Sequence, residues 1–174
     1  MGIFNKISDL FSSTRRPAEG TPVQSLSSLR ERLNTMNRDS APYRIISGEA
    51  EKVDLIAEWK VDRPEWRKIL EGPEVQKVFR VLLKFNEASH EVKALDREYA
   101  INWSVDGASL SVSAEAFRGK KTEISLGGPV LYTETLVDGK KIEYRFASKE
   151  LKKPLQDLIT ACGWTYKGVT FQKL

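Results

Sequence analysis

The sequence predicts an α+β fold: a curved, mainly antiparallel sheet with a short helix after the first strands and a C-terminal helix packed on the sheet. Barrel-like closure of that sheet is left open. Three observations predict this. Period-2 apolar patterning runs through Phe79, Val81, Leu83 and Phe85, then Tyr99, Ile101, Trp103 and Val105, then Leu110, Val112, Ala114 and Ala116. Asp106-Gly107 and Asp138-Gly139 stand between extended runs, where two-residue hairpin turns need positive φ. Near the C-terminus one apolar stripe of helical spacing ends at a glycine.

The elements follow in chain order. In residues 1–11, Ile3, Phe4, Ile7, Leu10 and Phe11 recur at helical spacing opposite Asn5, Lys6, Ser8 and Asp9, which predicts a short amphipathic helix. Residues 12–25 are rich in Ser, Thr, Pro and Gly and carry Arg15 and Arg16, a composition that reads as a linker. Leu26, Leu29, Leu33 and Met36 predict a second short helix inside the 12–40 stretch, with Ser28 and Glu31 spaced as a capping box. The single α+β domain is expected over residues 41–174. Its first strands are Tyr43 to Ile46 and Val53 to Val61, turning at Ser47-Gly48. Asp62-Arg63-Pro64-Glu65 opens a two-turn helix through Leu70 that Gly72-Pro73 closes. After the meander, which reverses again at Arg118-Gly119-Lys120, Pro154 suits the first turn of a helix with the stripe Leu155, Leu158, Ile159 and Cys162. Gly163 terminates it, and Trp164 to Phe171 reads as a closing strand.

Composition narrows the chemistry. One cysteine, Cys162, excludes an internal disulfide, and with one histidine, His90, it leaves no Cys/His zinc set. No cofactor or metal is expected. There are 28 basic and 24 acidic side chains, interleaved along the chain, which is a mild excess for nucleic-acid binding. No apolar run reaches the length of a membrane-spanning helix and no leader-like stretch opens the chain, so the expected location is cytoplasmic, with a peripheral place at the inner membrane face as the alternative. Gly127-Gly128-Pro129 lacks the lysine and following helix of a phosphate loop.

Each candidate has a plain competitor. His90 follows the hairpin loop of residues 86–89 and reads as a strand-start residue before it reads as a base. Cys162 sits on an apolar stripe at a helix C-terminus, where a thiolate is disfavoured. Glu58, Glu115, Glu134 and Glu143 fall on extended segments, and nothing in their spacing pairs them. Trp59, Trp66, Trp103 and Trp164 have apolar neighbours and read as core. The densest basic turn, Phe117 to Thr122, makes Arg118, Lys120 and Lys121 candidate anion contacts together with Arg97 and Lys93. In the N-terminal segment, Ile3, Phe4, Ile7, Leu10 and Phe11 with Lys6, Arg15 and Arg16 are the candidate contacts to a membrane surface, to a second copy or to a protein partner.

Taken together, Met1-Gly2-Ile3-Phe4-Asn5-Lys6, Val53 to Lys60, His90 to Asp96 and Gly163 to Val169 resemble a family of uncharacterised bacterial proteins. That resemblance implies a bacterial, cytoplasmic protein and assigns no functional residue. In outline the strand-rich domain with one apolar C-terminal helix is similar to the tubby-like and scramblase group of curved barrels, which implies phospholipid headgroups as neighbours. The expected function is a non-enzymatic binding or scaffold module tethered by its N-terminal helix. The alternatives are a small-ligand binder or enzyme with Glu58, Arg80 and Arg145 converging inside the sheet, and nucleic-acid binding through the basic hairpin.

Overall fold

The computed structural model describes residues 13–60, 77–103, 110–114, 132–144, 148–169 and 174. The amphipathic segment of residues 1–11, the helix expected from Asp62, the Asp106-Gly107 turn and the basic turn with Arg118, Lys120 and Lys121 lie outside these residues, as does Arg145.

Nine strands and two α-helices are described: β1 Thr14–Arg15, α1 Leu26–Asn34, β2 Tyr43–Ser47, β3 Leu55–Trp59, β4 Lys77–Asn86, β5 Glu91–Trp103, β6 Leu110–Ala114, β7 Tyr132–Thr135, β8 Lys141–Tyr144, α2 Ser148–Ala161 and β9 Thr165–Gly168. The main sheet runs β1-β9-β5-β4-β3-β2, and β6 also pairs with β5. It is open, so barrel-like closure is not formed; β7 and β8 make a hairpin of their own. The α+β reading with a curved, mainly antiparallel sheet holds. The closing strand β9, however, lies parallel to β5, with Val92 against Tyr166 and Lys93 against Lys167. A parallel neighbour requires a crossover connection, and α2, directly before β9, lies within it.

The alternation in β4 is as the sequence implies: Val81 and Leu83 are fully buried with Phe85 packed beside them, while Leu82 points the other way into a second cluster. On the first face, Tyr43, Ile45, Leu55, Ala57, Trp59, Val92, Ala94, Trp164 and Tyr166 join Leu29 and Leu33 of α1 and Leu151, Leu155, Ile159 and Cys162 of α2. Both helices thus cover the same side of the sheet.

Helix ends show how local chemistry fixes these elements. Ser25, not Ser28, caps α1: its hydroxyl accepts from the Ser28 N–H at 3.3 Å, and the Ser28 hydroxyl turns to Gln24 at 2.9 Å. At the end of α2, Gly163 has φ +78°, its N–H donates to the Thr160 carbonyl at 3.0 Å and the Trp164 N–H to the Ile159 carbonyl at 3.2 Å. This is a Schellman closure. A side chain at Gly163 would also meet the Pro22 carbonyl oxygen at 2.5 Å. Helix α2 begins at Ser148, so Pro154 lies inside it rather than in its first turn and removes the donor to the Glu150 carbonyl. In the β7–β8 turn only Gly139 has positive φ, not the Asp138-Gly139 pair. The Gly139 N–H donates to Leu136 and the Leu136 N–H to Lys140, a three-residue loop in place of the two-residue turn.

The composition of residues 12–25 reads as a linker, yet from Thr14 the chain is tied down. Thr14 and Arg15 pair with Lys167 and Tyr166, the Gln24 N–H donates to the Cys162 carbonyl at 2.9 Å, and the Trp164 indole N–H donates to the Gln24 carbonyl at 2.8 Å. At the opposite edge, the Asn37 amide bonds both backbone groups of Ile45, accepting its N–H at 2.6 Å and donating to its carbonyl at 2.9 Å. That closes the middle of edge strand β2 to further pairing.

Candidate functional site

The face of the sheet turned away from Leu155 and Leu33 is ordered in rows, because cross-strand partners share a face. The middle row is apolar: Ile46, Ile56, Leu82 and Leu95 oppose one another from β2 to β5, with Val53, Val169 and Leu174 packed alongside. Two residues along each strand, on one side, comes Arg44, Glu58, Arg80 and Arg97. Two residues along on the other side comes Lys84, Lys93 and Lys167, on β4, β5 and β9.

Glu58 is the buried member of the arginine row, 3% exposed. One carboxylate oxygen accepts from Arg44 Nε at 2.8 Å and Nη2 at 2.7 Å, and the other from Arg80 Nε at 2.5 Å. Arg80 and Arg97 stand directly opposite each other, a repulsive register for like charges. Arg97 is drawn instead to Glu51 in the turn between β2 and β3, at 2.5 Å. Each guanidinium of the row thus has a carboxylate partner, with Glu58 serving both Arg44 and Arg80. Of the groups expected to converge on the sheet, Glu58 and Arg80 do meet, as a closed ion pair. Both carboxylate oxygens of Glu58 are thus engaged by guanidinium groups, which makes it a bridge between Arg44 and Arg80.

The lysine row has a different balance. Lys84 is exposed, Lys93 half-buried, and the Lys167 side chain keeps 45% of its surface. Glu91 meets Lys167 at 3.2 Å and accepts from the Ser89 hydroxyl at 3.1 Å. Burial raises the Glu91 carboxyl, but these bonds and the charges of Lys167 and Lys93 outweigh it and hold the group below its usual range. Asp54, at the foot of β3, turns its carboxylate away to Arg30 and to the Phe85 N–H at 2.9 Å. Three lysines thus stand at matching register positions on adjacent strands, their backbones spanning roughly 10 Å.

Other candidates resolve into structural parts. Arg15 and Arg16 are exposed at the β1 edge, and Arg15 stands opposite Tyr166, on the helix-covered side of the sheet and not on the side of Lys167. Arg97, expected as an anion contact, is ion-paired with Glu51 and half-buried. His90 is exposed with φ +49°, its ring edge-on to Trp164 at 5.4 Å. Cys162 is fully buried and burial pushes its thiol up, against the pull of Arg32, which makes it a poor nucleophile. Trp59 and Trp164 belong to the core. Among the described residues no group of three or more His, Cys, Asp or Glu side chains gathers to hold a metal ion, and no helix is long and apolar enough to cross a membrane.

Comparison of the chain with protein-family models, with curated proteins and with solved structures finds no match.

Lys84, Lys167, Arg44 and Glu51 were not singled out by the sequence. The hairpin loop of residues 86–89 sets Lys84 opposite Lys93, but only the β5–β9 register adds Lys167, and no local pattern encodes that.

Proposed function

We propose that this chain is a non-enzymatic binding module that its amphipathic residues 1–11 attach to an anionic membrane surface from the cytoplasmic side. The observation that carries the reading is how soon the fold begins after the stripe. Phe11 ends the apolar pattern, and Thr14 is already paired into the sheet edge, with Arg15 and Arg16 exposed beside it. A segment rooted this closely holds the domain against whatever it binds, and the adjacent cations favour an anionic partner.

Cutting the chain at Ser25 would remove β1 and the Gln24 bonds to Cys162 and Trp164, so point substitutions are the cleaner test. The double variant Phe4→Asp and Ile7→Asp in the full chain is expected to lose co-sedimentation with vesicles of phosphatidylserine mixed in phosphatidylcholine, with an unchanged melting temperature. Equal binding by the variant and the parent rejects the membrane tether. A small-ligand or catalytic site inside the sheet stands second, because the carboxylate and guanidinium groups that would form it are bonded to one another.

A further inference from the structure

We infer that the Asn37 amide is a latch on the edge of β2, and that opening it lets this strand pair with β2 of a second copy of the chain. The inference is independent of the membrane reading.

Strand parity shows what the latch covers. The Lys60 N–H donates to the Pro42 carbonyl at 2.8 Å and the Gly48 N–H to the Asp54 carbonyl at 3.1 Å, one at each end of the β2–β3 pairing. In an antiparallel ladder alternate residues bond the neighbouring strand. Arg44 and Ile46 therefore turn their backbone groups toward β3, while Tyr43, Ile45 and Ser47 turn theirs outward. At Ile45, the centre of the strand, both outward groups are taken by one side chain: the Asn37 amide accepts the N–H at 2.6 Å and donates to the carbonyl at 2.9 Å. A primary amide offers the donor and acceptor of a peptide group, so Asn37 stands where a further strand would place its backbone. Asn37 and Ser47 are both exposed, which puts this edge at the solvent boundary. The loop stays tied beyond the latch, because the Lys60 ammonium group donates to the Arg38 carbonyl at 2.7 Å and the Asp39 carbonyl at 3.3 Å. Loss of the Asn37 bonds thus frees Ile45 without detaching the loop.

Of the two ends of the strand path, β2 is the one that needs a latch. Strand β1 is two residues long and Pro17 follows it, whereas β2 has five residues, Tyr43 to Ser47, with neither proline nor lysine among them. Its one charged side chain, Arg44, is turned to Glu58. The strand is also self-complementary. Antiparallel pairing about Ile45 sets Ile45 opposite Ile45, Tyr43 opposite Ser47 and Arg44 opposite Ile46, so that the outward-facing residues of both copies meet and no like charges do. A second copy of the chain is the partner whose register is already built in.

The test compares the full chain carrying Asn37→Ala with the parent and with the double variant Asn37→Ala and Ser47→Pro, by sedimentation velocity over a range of protein concentrations. Proline at position 47 removes an outward N–H that the β2–β3 ladder does not use and that the paired form needs. Asn37→Ala is expected to form a dimer that grows with concentration where the parent stays monomeric, and Ser47→Pro to return it to monomer. Amide hydrogen exchange at Ile45 is the second measurement. In dilute Asn37→Ala it should be roughly fivefold faster than in the parent, and it should slow again as concentration rises. A role for Asn37 confined to shaping its own loop would leave that rate independent of concentration. Asn37→Ser carries the same expectations and decides the matter if the alanine variant does not fold, since serine suits a turn but cannot span both groups of Ile45. A sedimentation profile unchanged from the parent overturns the inference, as does association that Ser47→Pro leaves in place or an Ile45 exchange rate that does not respond to concentration.

Discussion

Ile45, Ala57, Val81 and Ala94 face helices α1 and α2, while their chain neighbours Arg44, Glu58, Arg80, Lys93 and Leu95 face the other way. On the helix-covered side the polar groups close on each other: Asp96 is paired with Lys152 of α2, and the Tyr166 hydroxyl bonds to Gln156. Burial drives the Asp96 carboxyl up despite Lys152. It drives Tyr166 far up as well, with the Asp96 charge adding to the shift. On the other side charged residues form two rows that flank a buried apolar row, three arginines set among Glu58 and Glu51 and three lysines beside Glu91. The two faces show that a period-2 chain can bury alternate residues on both sides, an all-apolar set beneath the helices at Val81 and Leu83 and, on the other side, an apolar row flanked by charge. The layer that excludes water determines which set must be satisfied internally.

The sharpest separation of the two faces comes from Leu155, fully buried among Leu29, Ile159 and Trp164 in the helix-covered cluster. Leu155→Ala is expected to cost about 2–5 kcal/mol, through lost burial and the cavity left behind. Urea unfolding should show this as a lower midpoint with an unchanged slope. A cost below about 1 kcal/mol would mean that α2 is not what closes this face. Next in size is Glu58→Gln on the opposite face. It leaves Arg44 and Arg80 beside each other without the carboxylate that both contact, at a cost of about 2 kcal/mol given their partial exposure. Adding Arg80→Gln to this variant should recover part of the loss. If the double variant is instead worse by the sum of the single ones, the row is not electrostatically coupled.

Much of this contrast is legible in the sequence, but in its local half only. The alternation of Val81, Leu83 and Phe85, the stripe Leu155, Ile159 and Cys162, and the Gly163 terminator each depend on residues within one turn or one strand, so their spacing announces them. Leu151 extends the stripe by one turn, although the early-proline reading of Pro154 would end it sooner. Partnerships between distant segments leave no such trace. The parallel docking of β9 on β5 joins residues more than 70 positions apart, and Lys167 stands beside Lys93 only because of it. Backbone bonds are silent too: Gln24 is fastened by its N–H and carbonyl, groups every residue but proline possesses, so a Ser- and Pro-rich composition misreads residues 14–25 as a linker. Asn37 looks like a turn former and is one, but its amide also seals β2.

The smallest effect is also the one in which the two faces should differ in sign. Glu91, on the lysine row, is held below its usual range in the fold. Its stabilising contribution is present above the ordinary carboxylate range and fades as pH falls through and below it. Asp96, under the helices, is raised, so its contribution runs the other way: present in acid and lost as pH rises through its folded value. Unfolding free energies measured from neutral pH into acid should therefore fall less steeply for Glu91→Gln than for the parent, and more steeply for Asp96→Asn. The Glu91 difference is expected to stay within about 1 kcal/mol, as suits a solvent-reached ion pair, and to shrink in high salt. The Asp96 difference should resist salt, because that pair is shielded by α2. If both slopes shift in the same direction, the two faces do not treat charge differently, and the rows are a consequence of strand register alone.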